Sequence, residues 1–66
     1  MDLSKSLRVA LANSNMQKKV LAEKVGTSQQ QVSNWLRSGN IKQSSLSYIA
    51  AVFNMTVSEF IALGED

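Results

Sequence analysis

The stretch Leu21-Ala22-Glu23-Lys24-Val25-Gly26-Thr27-Ser28-Gln29-Gln30-Gln31-Val32-Ser33-Asn34-Trp35 decides the reading of this chain, because it spells two short helices folded across a glycine turn. Leu21 and Val25 make an apolar stripe at i, i+4, and Ala22 leaves room for a close helix approach. Gly26 can take the left-handed conformation that ends a helix. Ser28 then stands where it can cap the next one. At about 100° per residue, Val32, Trp35 and Leu36 fall in one arc of that second helix, and Gln29, Gln30, Ser33, Asn34 and Arg37 fall on the other side. One arc is a core face and the other is polar.

Outward from this pair the chain predicts three more helices and no strand. The first runs from about Ser4 to Asn13, with Leu3, Leu7 and Leu11 on one face and Ser4 as its cap, and Asn13-Ser14-Asn15 breaks it. The second covers about Gln17 to Val25 and the third about Gln29 to Arg37, closed by Ser38-Gly39-Asn40, where Gly and Asn tolerate positive φ. Ile41 is expected to plug the following loop into the core. A fourth helix starts near Ser44 or Ser45 and runs to Phe53, burying Leu46, Ile49, Ala50 and Phe53, and Asn54 ends it. Thr56-Val57-Ser58-Glu59 is a capping box for a fifth, which Gly64 ends. The fold class is all-α: a compact five-helix domain spanning 1–66.

Length allows one domain, with a core near the lower limit for independent folding, where only ~60% of the unfolded surface is buried. Met1 at the start and Glu65-Asp66 at the end are what a natural chain would carry. With no Cys there is no disulfide or thiolate metal site, and with no His the commonest metal ligand and general base are missing. The carboxylates Asp2, Glu23, Glu59, Glu65 and Asp66 are scattered and show no paired spacing, so no catalytic site is expected, nor a metal, cofactor or small-molecule substrate. No apolar run approaches the ~20 residues of a membrane span, and no secretory signal pattern opens the chain. A cytoplasmic protein without a membrane partner is expected.

The net charge of +2 is modest but unevenly placed. Lys5, Arg8, Lys18, Lys19, Lys24, Arg37 and Lys42 all precede residue 43, and between Leu3 and Ser58 only Glu23 opposes them before the acidic end. Such a dipole orients on a polyanion. The amides of Gln and Asn each carry a donor and an acceptor, the geometry that binds adenine bidentately at N6 and N7 in the major groove. A polar helix face is by itself the ordinary solvated side of an amphipathic helix, and lysines such as Lys5 and Lys24 serve solubility. The glycine spacing and the one-sided basic charge favour nucleic acid.

At these residues the chain resembles the lambda-repressor-like DNA-binding domains, including the repressors and Cro proteins of lambdoid phages. Val25-Gly26-Thr27-Ser28-Gln29-Gln30 resembles the turn and recognition-helix start of the family, and Val32-Ser33-Asn34-Trp35-Leu36-Arg37-Ser38 the helix end. Ile49-Ala50-Ala51-Val52-Phe53-Asn54-Met55-Thr56-Val57, with Phe60, Leu63 and Gly64, is similar to its last two helices. The size is most like that of a short phage Cro protein or a small bacterial regulator. The resemblance implies a lambda-repressor-like fold and a helix-turn-helix transcriptional regulator that recognises operator DNA.

It also implies roles. Gln29 and Gln30 open the recognition helix and should reach base edges, with Ser33 and Asn34 one turn later. Gln17 and Lys18 at the start of the second helix, Lys42 and Ser44 after the third, and Arg37 are expected at phosphates. A monomer of this size contacts little DNA, so a homodimer on a pseudo-palindromic operator is expected, at least on DNA, with recognition helices ~34 Å apart. Met55, Val57, Phe60 and Leu63 are the expected dimer surface. The second reading is a protein-interaction module of the same fold, antitoxin-like or an anti-repressor partner, without specific DNA binding. Two positions depart from the family pattern. Lys18 stands where many relatives carry a Gln that buttresses the recognition helix; it reaches a phosphate but accepts no hydrogen bond. Leu11 and Leu36 stand where many relatives bury an Arg–Glu pair, and the two are expected to touch.

Overall fold

The computed structural model describes residues 3–65; Met1, Asp2 and Asp66, and with them two of the carboxylates considered above, lie outside the described residues. Five helices follow one another: α1 (Leu3–Ser14), α2 (Lys18–Val25), α3 (Gln29–Ser38), α4 (Gln43–Val52) and α5 (Val57–Ala62). Among the described residues there is no strand.

Each helix contributes one apolar side chain with no exposure at all to a shared centre: Leu7, Leu21, Val32, Ile49 and Phe60. Around it sit Ala10, Leu11, Ala22, Trp35, Leu46 and Ala50, and Ile41 plugs the α3–α4 loop as its sequence position suggests. In this arrangement α3 packs on both α1 and α2, α4 lies on α2, and α5 bridges α1 and α4. Ser6, fully buried, donates from Oγ to the Ile61 carbonyl at 3.2 Å and ties the first helix to the end of the last. Leu11 is buried and Leu36 half-buried against the same core, so both face inward from helices that pack on each other.

The turns follow the residues that tolerate them. Gly26 adopts φ 85° and donates to the Ala22 carbonyl at 2.9 Å; Gly39 adopts φ 71° and donates to Trp35 at 2.8 Å. Asn15 and Asn54, the two breaks expected from short polar side chains, have φ of 51° and 58°. Ser28 accepts the Gln31 amide at 3.1 Å, and the Thr56–Glu59 capping box is fully formed, with both reciprocal bonds present.

Three expectations need correction. Ser4 is not a cap but lies inside α1, because Leu3 packs on the core and carries the helix one residue further. Gly64 is not left-handed; α5 stops at Ala62, and the Gly64 amide donates to Ile61 at 3.0 Å in the turn beyond. Helix α4 begins earlier than expected, so Lys42 is its N-cap residue and Ser44 lies within its first turn.

The two left-handed glycines are not equivalent. A methyl group at Gly26 would meet nothing within 4 Å, whereas at Gly39 it would lie 3.1 Å from the backbone nitrogen of Ser4. Gly26→Ala should therefore cost only the left-handed backbone, about 1–2 kcal/mol. Gly39→Ala should cost more, because α1 must also shift away from the end of α3. Urea denaturation of the two variants checks this; equal losses would mean that α1 does not close on Gly39.

Candidate nucleic-acid interface

With Val32 and Trp35 buried, helix geometry leaves the opposite side of α3 outside. Gln29, Gln30 and Arg37 are exposed, and Ser33 and Asn34 are partly so. The five residues of the expected reading face thus share one side of one helix. Their amides, however, are not in the same state.

Asn34 Oδ1 accepts from Arg37 Nη2 at 2.9 Å and from Gln30 Nε2 at 3.4 Å, which occupies the acceptor side of its amide. Gln29 makes no hydrogen bond through its side chain to any described residue, so it keeps donor and acceptor for an outside partner. The end of the helix is stiffened further by Ser38 Oγ, which donates to the Asn34 carbonyl at 2.9 Å and accepts the Asn40 amide at 3.3 Å. Sequence reasoning placed Asn34 on the correct face but could not see that its acceptor is taken. That required the i, i+3 geometry of Arg37 and the i−4 geometry of Gln30 together.

Of the expected phosphate ligands, Arg37 lies in the last turn of α3 and the other four lie at helix starts. Gln17 is the extended residue before α2, exposed, with no side-chain cap; Lys18 is the exposed first residue of that helix. Lys42 holds the same place before α4, likewise without a side-chain cap, and Ser44 is exposed in its first turn. The free amides and the dipole of each helix therefore add to an exposed ammonium group.

The expected dimer residues separate. Phe60 has no exposed surface and belongs to the core, which corrects its assignment to an exposed contact face. It stands at the one position of α5 that points into the five-helix centre. Met55, Val57 and Leu63 are half-buried and also pack on that core, leaving only their outer edges free.

One feature escaped the sequence. An open cleft of about 610 Å³ separates the turn and α3 from α4, with Ser28, Gln31 and Trp35 on one wall and Lys42, Ser45 and Tyr48 on the other. Tyr48 is 65% exposed. It lies off the buried stripe of α4, which was the only signal in the sequence, and the partnership of α3 with α4 is a product of the tertiary fold. Among the described residues no group of His, Cys, Asp or Glu side chains could hold a metal ion, and no helix is long and apolar enough to cross a membrane.

A family model described as Helix-turn-helix matches residues 5–60, from the first turn of α1 to the buried Phe60. No curated protein and no solved structure matches the chain. The match covers α2, α3 and α4 in full and most of α1 and α5, including the α2–turn–α3 unit that carries the exposed amides. The chain belongs to the lambda repressor/Cro-like helix-turn-helix family, a family of DNA-binding regulatory domains.

Proposed function

We propose that this protein, a single domain over 1–66, is a sequence-specific transcriptional repressor of the short Cro type. It inserts α3 into the major groove and binds a pseudo-palindromic operator as a homodimer. The observation that carries this reading is the exposed Gln29–Gln30 pair at the N-terminal end of α3, in a fold whose α2 and α4 both begin without a side-chain cap and with an exposed lysine. The pair reads base edges, and Lys18 and Lys42, with Gln17, Ser44 and Arg37, hold the sugar–phosphate strands on both sides. Between subunits, the outer edges of Met55, Val57 and Leu63 supply the apolar contact.

Gln29→Ala and Gln30→Ala should each weaken specific binding by ~1–3 kcal/mol with little effect on random duplex, because a bidentate base contact carries that much discrimination. Fluorescence anisotropy on a selected operator and a scrambled one measures both. Equal losses on the two would remove these residues from base reading.

The salt dependence tests the phosphate side. Lys18, Lys42 and Arg37 in two subunits make about six contacts, which gives a log–log slope of roughly −5. Lys18→Ala should flatten it. A slope near zero would favour the interaction-module reading instead.

Asn34 makes a distinct prediction. With its acceptor held by Arg37, it offers donors only, which suits the O6 and N7 acceptors of guanine; adenine needs an acceptor for N6 as well. Arg37→Ala removes the shorter of the two bonds to Oδ1 and leaves only the 3.4 Å bond from Gln30, which opens acceptor capacity. In-vitro selection of bound sequences should then show the base under Asn34 moving toward adenine, while an unchanged preference would mean that the Arg37 bond does not survive on DNA.

A further inference from the structure

We propose that the cleft between α3 and α4 is a seat for a phosphate-type oxyanion, with the indole N–H of Trp35 as its deepest donor. The observation that singles it out is Trp35 itself. Its ring is 3% exposed and forms part of the core. Among the described residues, nothing accepts a hydrogen bond from its Nε1–H, yet no buried side-chain nitrogen or oxygen is left sealed without a partner. The nitrogen is therefore reached from outside, and Trp35 lines this cleft. A buried aromatic donor that is not sealed and belongs to a residue lining a cleft is a group placed for an acceptor from elsewhere.

The walls select the acceptor's chemistry. Lys42 brings a full positive charge, and Ser45 brings the first turn of α4, whose amides have no side-chain cap. Ser28, Gln31 and Tyr48 add hydroxyl and amide groups able to donate. No carboxylate lines the space. Groups that converge with this polarity are satisfied together by a ligand that carries negative charge and several acceptor oxygens, and phosphate is such a ligand.

The same chemistry has two sources, a backbone phosphate of DNA or a free phosphate. On the operator reading, which this inference deepens, the occupant is a DNA phosphate, and Trp35 becomes a binding residue that joins the hydrophobic core to the nucleic-acid backbone.

The chain has one tryptophan, so the uniformly 15N-labelled protein gives one indole N–H resonance in its proton–nitrogen spectrum. Titration with an operator duplex should move that resonance downfield and slow its exchange with solvent. Trp35→Phe, which keeps a ring and removes the donor, should lower duplex affinity about tenfold, the size expected of a hydrogen bond to a charged group. Because that variant can also loosen the core, Lys42→Gln is measured beside it and should reduce the indole shift at a given duplex concentration. A duplex that binds with the indole resonance unmoved overturns the seat while leaving the operator reading intact. Inorganic phosphate that moves the resonance when no duplex binds supports the seat and overturns the operator reading. A resonance that neither ligand moves overturns the seat.

Discussion

The rest of the structure depends on the burial of two side chains three residues apart, Val32 and Trp35, which fixes the rotation of α3 about its own axis. A helix has no other means of choosing which residues it shows to solvent, and burial of two large apolar side chains outweighs any preference its polar residues exert, at roughly 1.5–3 kcal/mol each. Once the phase is set, Gln29, Gln30 and Arg37 are outside by geometry alone. The length of the exposed face is set by the caps. Ser28 starts the helix and left-handed Gly39 stops it, so α3 presents under three turns of surface, a short straight rod compatible with a groove.

Because the phase follows from a period and the ends from Ser and Gly, this much was legible in the sequence. The Leu21–Val25 stripe, the Gly26 turn, the Val32–Trp35–Leu36 arc and the Thr56–Glu59 box each rest on local chemistry acting over four residues or fewer, and each appears where that chemistry puts it. What was not legible depends on neighbours distant in sequence. Phe60 reads as a candidate contact residue in a short apolar helix, and only the convergence of all five helices shows that it is the member α5 gives to the centre. Gly64 has the composition of a helix stop, but α5 ends two residues earlier, where its last carbonyls turn back to satisfy the following amides. The cleft wall formed by Gln31 and Tyr48 joins residues on different helices, and no pattern along one strand of sequence marks such a pair.

A domain this small has no separate scaffold to hold a site. The residue that closes α3, Gly39, also lies against the start of α1, and Trp35, which lines the α3–α4 cleft, is also one of the core anchors. Stability and binding surface therefore share parts, and a ligand that engages Trp35 or the start of α4 adds its binding energy to the folded state alone. The same economy favours apolar Leu11 and Leu36, at the positions where the family resemblance implies a buried ion pair. Removing two charges from a minimal core avoids their desolvation, which in a small protein is a large fraction of the total stability.

The exposed face of α3 divides its work between a free amide and a fixed one. On the proposed operator reading, Gln29 chooses a rotamer on meeting a base, which costs side-chain entropy on the order of 1 kcal/mol but leaves it able to match a donor–acceptor edge. Asn34 has surrendered that choice, since Arg37 and Gln30 already hold its oxygen. The ordering has been done on folding, and what remains is a donor held in a set direction. On the same reading Arg37 acts on recognition through its neighbour: its charge stays near the helix end for a phosphate, while its guanidinium occupies the acceptor half of the Asn34 amide. On that reading backbone contact and base choice are coupled within a single turn, because a phosphate that draws Arg37 away removes the shorter of the two bonds to Asn34 Oδ1 and leaves only the long one from Gln30.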